Sequence, residues 1–297
     1  MRKVLLLQFF LACFTFAIAQ TPLKNKINEI AKDAKGEIGV SMIDLQTGRS
    51  FSINGDKPLV MQSTFKFPIA VAVLHKVDKG SIKLEDKLRL TKADLPENYS
   101  PLRDKHPDGN VDVTIRELLD YMLIWSDNDA CDILLNRVCS KAEVEQYMHQ
   151  LGGTSFRIRA TEMEMKNDWQ AQFTDVCTVT DMAKLFRTVR NGEALSANST
   201  EYIIKTMEKT EVGKKRIKGL LPANTVVAHR TGTSATDTRT GISPATNDGG
   251  IITLPNGKQF ILVVFVSNAK ADTDTREAVI ARIAKVVYDD VVSGKLN

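Results

Sequence analysis

Apolar and polar positions alternate near both ends of the chain, while helical spacing dominates its middle. Residues 38–45 read as a strand, Gln46-Thr47-Gly48-Arg49 as a turn and residues 50–53 as its partner. Towards the other end, residues 250–254, Pro255-Asn256-Gly257-Lys258 and residues 260–267 give a second hairpin signal. Val279, Ile283, Val286 and Val287 fall on one face of a helix predicted over 273–292. Residues 23–34 also carry a helical pattern. Between these ends, residues 57–209 show almost no strand signal. Helices are predicted there near 64–79, 114–124, 127–138, 141–150, 178–190 and 197–208. Thr178-Val179-Thr180-Asp181 supplies hydroxyls suited to a helix start. Residues 157–174 are polar and poorly periodic, and a loop that long in a compact protein is usually functional. The pattern predicts an α/β fold. A sheet lobe is built from 21–56 and 210–297, an all-helical lobe from 57–209 is inserted in it, and a site lies at the junction.

Residues 1–20 have the pattern of an export signal. Arg2 and Lys3 precede an apolar run to Ile18, and Ala17-Ile18-Ala19 is a small-x-small cleavage pattern. Cleavage is expected near Ala19 or Gln20, giving a periplasmic or secreted protein. The run is short of the ~20 residues a membrane span needs, so no stable membrane insertion is expected afterwards. Leu11-Ala12-Cys13 offers lipid anchoring at Cys13 as an alternative.

Charge and cysteine content narrow the partners. The chain carries 40 Lys+Arg against 36 Asp+Glu, and two of those cations lie in the export signal. So even a balance argues against nucleic acid or an anionic membrane as the main partner; a small-molecule substrate and a monomer are expected. His75, His106, His149 and His229 are scattered and no C-x-x-C pair occurs, so no metal or other cofactor is expected. Cys131, Cys139 and Cys177 follow the signal. Cys131 and Cys139 are eight apart in one predicted helix, about 12 Å, too far to bridge while it is intact. Any other pairing is left open by the sequence.

Ser63-Thr64-Phe65-Lys66 opens an apolar run, and on a helix Ser63 and Lys66 share a face. A serine hydroxyl is a poor nucleophile until a base takes its proton. Burial among Phe65, Phe67, Ile69 and Val73 would disfavour the ammonium form of Lys66 and make it such a base. An N-cap serine beside a snorkelling lysine explains the same four residues. Ser126-Asp127-Asn128 precedes a predicted helix; Ser126 could deliver a proton to a leaving nitrogen and Asn128 could hold a substrate amide, while a plain helix cap is the simpler reading. Arg230-Thr231-Gly232-Thr233-Ser234 continues the strand-like Thr225-Val226-Val227-Ala228. It offers a cation, hydroxyls and a glycine that lets backbone approach substrate.

The order of these motifs is more specific than any of them alone. S-x-x-K, S-D-N and a cation-Thr-Gly triplet, with Glu162 between the last two, resemble the class A serine β-lactamases. The spacing agrees across the chain: Ser126 lies 63 positions after Ser63, Glu162 lies 36 after Ser126, and Arg230 lies 68 after Glu162. Tyr99-Ser100-Pro101, the segment 216–222 and Asn247-Asp248-Gly249-Gly250-Ile251-Ile252 are similar to family sequence too. The resemblance implies a β-lactamase/transpeptidase-like fold and hydrolysis of penicillins and cephalosporins. It implies Ser63 as the acylated nucleophile, Lys66 and Glu162 as rival acylation bases, Ser126 as proton donor to the lactam nitrogen, and Glu162 as activator of the deacylating water. Backbone N–H groups of Ser63 and Thr233 would form the oxyanion hole. Arg230, Thr231, Gly232, Thr233 and Ser234 would line the carboxylate site, with Asn128 and rim Tyr99 beside it. Arg216 would be the additional arginine, since Gly249 stands where other members carry one.

Four positions depart from the family pattern. Arg230 replaces the usual lysine and is bulkier. Lys166 stands where many members have asparagine, within expected reach of Glu162. Ala160 replaces an arginine that ties the loop neck to an aspartate, here Asp175; Arg157 or Arg159 are the expected substitutes. Met163 follows Glu162 without proline, so a cis bond there would cost about 3–4 kcal/mol. The alternative readings are a D-Ala-D-Ala carboxypeptidase or transpeptidase and a non-catalytic penicillin sensor. The glutamate loop separates the first reading from both.

Overall fold

The computed structural model describes residues 22–294; the proposed export signal lies outside them. Helix α1 (22–31) runs through a 3-10 turn, Lys32–Ala34, into strands β1 (Glu37–Asp44) and β2 (Ser50–Ile53). Strand β3 (Leu59–Val60) and a 3-10 turn (Gln62–Phe65) precede α2 (Lys66–Asp78). Strands β4 (Lys87–Thr91) and β5 (Gly109–Thr114) flank α3 (Pro101–Lys105). Then follow α4 (Ile115–Ile124), α5 (Asn128–Arg137), α6 (Lys141–Gln150), α7 (Glu162–Asn167), β6 (Val176–Cys177), α8 (Val179–Arg190) and α9 (Ala197–Glu208). The last elements are β7 (Val226–Thr233), β8 (Ser243–Thr253), β9 (Gln259–Ala269) and α10 (Thr273–Val292).

The main sheet is antiparallel, in the order β2-β1-β9-β8-β7. The first strand of the chain therefore pairs with the last, Glu37 opposite Ser267 and Asp44 opposite Phe260. β9 is buried on both faces. Ile261, Val263 and Phe265 join the apolar cluster of α2, α4, α5 and α8. Phe260, Leu262, Val264 and Val266 join the cluster of α1 and α10. The period-2 alternation of a strand divides one continuous apolar run between two cores.

The helices of the middle start where their caps predict. Thr114 and Glu117 form a capping box on α4, Ser140 and Glu143 on α6, and Thr178 accepts from Asp181 N at the head of α8. Three corrections apply to the sequence expectation. The middle is not strand-free: it holds β3, β4, β5 and β6, of which β3 and β6 are two residues each and β4 carries Lys87 and Arg89. Such short or charged segments give no clear apolar alternation. The predicted 64–79 helix begins instead with the 3-10 turn, and α2 proper starts at Lys66. Pro68 in its first turn has no N–H that the helix would use there. The stretch 157–174 is not all loop, since it contains α7 and a 3-10 turn at Ala171–Phe173. No peptide bond among the described residues is cis, Glu162–Met163 included. Cys131, Cys139 and Cys177 are buried and free, and burial pushes all three thiols up, Cys139 to about 11. Among the described residues no helix is long and apolar enough to cross a membrane.

Candidate active site

Ser63 sits in the 3-10 turn that feeds α2, and Lys66 is the first residue of the helix proper, so one turn brings their side chains together. Lys66 is fully buried, but its head group is not in apolar surroundings. Nζ lies 2.7 Å from Glu162 Oε1 and donates to Asn128 Oδ1 at 2.6 Å, Ser126 O at 2.8 Å, Ser63 Oγ at 3.2 Å and Ser126 Oγ at 3.3 Å. Every partner is an acceptor. The expectation of a lysine surrounded by hydrocarbon is corrected here: the stem packs among apolar side chains while the amine faces a polar cluster. Ser63 Oγ in turn donates to Glu162 Oε1 at 3.1 Å. In this geometry the serine hydroxyl donates to the glutamate and accepts from the lysine.

Glu162 is held by its own main chain. Asp132 Oδ1 accepts from Glu162 N at 2.8 Å and Oδ2 from Met163 N at 2.9 Å. Thr161 and Glu164 form a capping box on α7. Burial raises the Asp132 carboxyl to about 6, against the opposing pull of those two N–H groups. Lys166 does not pair with Glu162 as expected; its amine reaches the Glu97 carbonyl. Arg157 and Arg159 do not tie the loop neck by their side chains either. Arg159 pairs with Glu145 at 2.6 Å, and Arg157 bonds to Thr154 and Phe156 carbonyls. Asp175 Oδ1 instead accepts the main-chain N–H of Arg159 at 2.6 Å and of Ala160 at 2.9 Å. Its Oδ2 is buried without a partner.

Ser126 and Asn128 arrive on the loop between α4 and α5. Asp127 is the N-cap of α5, accepting from Ala130 N at 2.9 Å, and also binds Ser100 Oγ at 2.9 Å and Leu102 N at 2.6 Å. The helix-cap reading of Ser-Asp-Asn thus falls to Asp127, while Ser126 and Asn128 face the Lys66 amine. Ser126 has φ 64°, a left-handed conformation that costs a non-glycine residue roughly 1–2 kcal/mol. Asn128 Nδ2 donates to Asn98 Oδ1 at 3.0 Å and Asn128 N to Tyr99 O at 3.0 Å. Tyr99 itself projects 56% exposed from the rim.

β7 closes the other side. Arg230 is buried, its Nε donating to Ser63 O at 3.1 Å and its Nη2 to Ser126 Oγ. Burial lowers its pKa to about 10, which leaves it charged at neutral pH. A Cβ on Gly232 would stand 2.5 Å from Met61 O, so only glycine lets β7 press against the serine turn. Arg216 inserts below the strand end. Its Nη1 donates to Gly232 O at 3.0 Å and Asn247 O at 2.8 Å, its Nη2 to Thr233 Oγ1 at 2.5 Å, and Nε to Glu277 Oε1 at 3.1 Å. Thr233 remains exposed, whereas Thr231 and Ser234 are buried. The Ser234 hydroxyl bonds Ala245 O at 3.1 Å and Ser243 Oγ at 3.2 Å.

Ser63, Lys66, Ser126, Asn128, Glu162 and Arg230 therefore form one hydrogen-bonded cluster, and Arg216 reaches it through Gly232 and Thr233. Sequence reasoning missed Asp132, Asn98, Gln62 and Gln172. Only Asp132 left a signal: it lies four residues after Asn128, on the same face of α5.

A serine hydroxyl bonded to a carboxylate and to an amine that also reaches a second serine is equipped for acyl transfer with hydrolytic release. A sequence profile of the Beta-lactamase enzyme family matches residues 22–291. The chain is 39% identical over 290 residues to β-lactamase VEB-1 of Pseudomonas aeruginosa, covering 96% of this chain and 95% of that protein. It superposes on the TLA-1 extended-spectrum β-lactamase with TM-score 0.89 at 43% identity, covering 92% of this chain and 99% of that one. A class A β-lactamase of Bacteroides cellulosilyticus gives TM-score 0.88 at 32% identity, over 93% and 99% of the two chains. With a serine, an amine and a glutamate in one hydrogen-bonded cluster, this chain belongs to the class A β-lactamases and is a β-lactam hydrolase.

Proposed function

We propose that hydrolysis proceeds through an acyl-enzyme on Ser63, with Glu162 as the base nearest the reacting proton. The observation that carries this reading is the Ser63 hydroxyl, which donates to Glu162 Oε1 at 3.1 Å while Lys66 Nζ donates to it at 3.2 Å. Ser63 Oγ attacks the lactam carbonyl carbon and its proton passes to Glu162. The oxyanion is met by the N–H groups of Ser63 and Thr233. As the C–N bond breaks, Ser126 protonates the nitrogen and regains a proton from Lys66. The Lys66–Glu162 contact, 2.7 Å, returns the first proton to the amine. In deacylation a water attacks the ester carbonyl and gives its proton to Glu162; as the acyl–oxygen bond breaks, Ser63 Oγ takes a proton from Lys66, which regains one from Glu162.

Around this centre, Asn128 holds the substrate amide and Tyr99 lines the rim. Thr233 presents a hydroxyl to the substrate carboxylate, with the charge of Arg230 and Arg216 behind it. Thr231, Gly232 and Ser234 shape β7 behind that contact. The site lies between a sheet lobe (21–56 and 210–297) and a helical lobe (57–209). Penicillins and cephalosporins are the proposed substrates, and the extended-spectrum designation of TLA-1 supports testing the bulkier cephalosporins. The protein is proposed to act as a monomer in the periplasm or medium after loss of residues 1–20, without nucleic acid as partner.

Glu162→Gln tests the scheme. Lys66 stays beside Ser63, so acylation continues at a reduced rate while deacylation stalls. Intact-mass measurement with a penicillin should show a stable adduct that maps to Ser63. Unchanged turnover by the variant would refute the role given to Glu162.

A further inference from the structure

The residue before the proposed nucleophile stands in an unfavourable conformation, and its side chain is bonded to one from the loop that carries Glu162. Gln62 has φ 47°, in the left-handed region that residues with a long side chain rarely occupy. Its buried side chain donates from Nε2 to Gln172 Oε1 at 3.0 Å. Gln172 is buried as well and is anchored in turn, its Nε2 donating to Trp169 O at 2.9 Å. The backbone just ahead is pinned from β8 and from the loop: Asn247 Nδ2 donates to Val60 O at 2.7 Å and Met61 O at 3.0 Å, and Met61 N donates to Asp175 O at 2.9 Å. Gly232 backs onto Met61 and Gln62 from β7.

Two buried glutamines bonded amide to amide add no charge to the site. Their place in the chain gives them a use. The backbone angles of Gln62 set the direction of the next peptide, and that peptide carries the Ser63 N–H. We infer that Gln172 is a positioning residue for acylation: by holding the Gln62 side chain it keeps Gln62 left-handed and so aims the Ser63 N–H at the substrate carbonyl oxygen. This rests on the oxyanion role proposed above for Ser63. Oxyanion donors act only when preorganised at the position where charge develops, so a small rotation of this peptide weakens catalysis without removing any group. Glycine at position 62 would adopt the same conformation without a tether, and that difference makes the inference testable.

Single-turnover kinetics with a chromogenic cephalosporin, with the adduct followed by intact mass, separate acylation from deacylation. Gln172→Ala should slow acylation about tenfold, equivalent to about 1.4 kcal/mol, and slow deacylation with it, because the same N–H meets the oxyanion in both steps. Should that variant fail to fold, Gln172→Met keeps the length without the acceptor and carries the same expectation. Gln62→Gly should stay within about threefold of the parent, and adding Gln172→Ala to it should cost less than about twofold. A loss confined to deacylation would overturn the inference, because Gln172 would then only anchor the loop of Glu162. A tenfold acylation loss that persists in the Gln62→Gly protein would overturn it too. Failure of the parent protein to acquire any adduct at Ser63 would overturn the nucleophile assignment itself, before any Gln172 variant is measured.

Discussion

Arg230 stands between two demands. Its guanidinium binds Ser126 Oγ and the Ser63 carbonyl, and its charge lies under the strand end where Thr233 is exposed. Hydrogen bonds to a charged group contribute about 1.5–3 kcal/mol. Arg230→Ala should therefore lower kcat/KM for carboxylate-bearing β-lactams by roughly 10–100-fold. An ester analogue without the carboxylate should lose less, since only the contacts to Ser126 and the Ser63 carbonyl are then missing. Equal losses for acid and ester would confine Arg230 to Ser126 and remove it from the carboxylate site. The comparison also shows what residue identity can reveal. Ser63, Lys66, Ser126 and Asn128 were legible because local spacing on helix starts fixes their neighbours. That Ser126, Asn128 and Glu162 gather round the Lys66 amine was not legible, because they come 60 or more positions later in the chain and only the fold delivers them there. Gln62 and Gln172 are 110 positions apart, and nothing in either local sequence announces the pair.

At the scale of elements, the loop from Arg157 to Asp175 replaces an absent arginine with main-chain donors. Ala160 leaves Asp175 to be satisfied by two backbone N–H groups on one oxygen, with the other oxygen buried and unpaired. Burial pushes this carboxyl up to about 7, the N–H groups of Arg159 and Ala160 pull it down, nearby Glu162 raises it and Lys141 lowers it. The folded protein thus holds a proton on Asp175 that the unfolded chain releases near 3.8. Stability from this group is present at low pH and is lost as pH rises from about 4 through about 7. Asp175→Asn keeps an oxygen for both N–H groups and removes the titration. Its melting temperature should exceed that of the parent by about 2–4 °C at pH 8, with the gap narrowing steadily towards pH 4. A gap of the same size at every pH would mean that shape, not charge, governs the neck. Sequence alone located this loop and its glutamate. It did not reveal α7, because six residues behind a capping box are too few to show helical periodicity.

For the whole molecule, the decisive element is β9, which serves two cores at once. Its hairpin with β8 was visible in the sequence, and so was the pairing of chain ends in outline, because both termini carried the strand signals. Which face of β9 meets which helices was not visible, since a run from Phe260 to Val266 that is apolar throughout gives no inside or outside. The structure resolves it: Phe265 turns towards α2, α4, α5 and α8, and Val264 towards α1 and α10. Phe265 is fully buried, so truncation opens a cavity among rigid neighbours. Phe265→Ala should cost about 3–5 kcal/mol in urea unfolding at neutral pH. Neither side chain takes part in the hydrogen bonds of the Ser63 cluster. The fraction that remains folded should therefore keep the parent kcat and KM, with the deficit appearing only as less active protein on warming. A changed KM in well-folded Phe265→Ala protein would show instead that β9 transmits its packing through β8 to the strand end at Thr233.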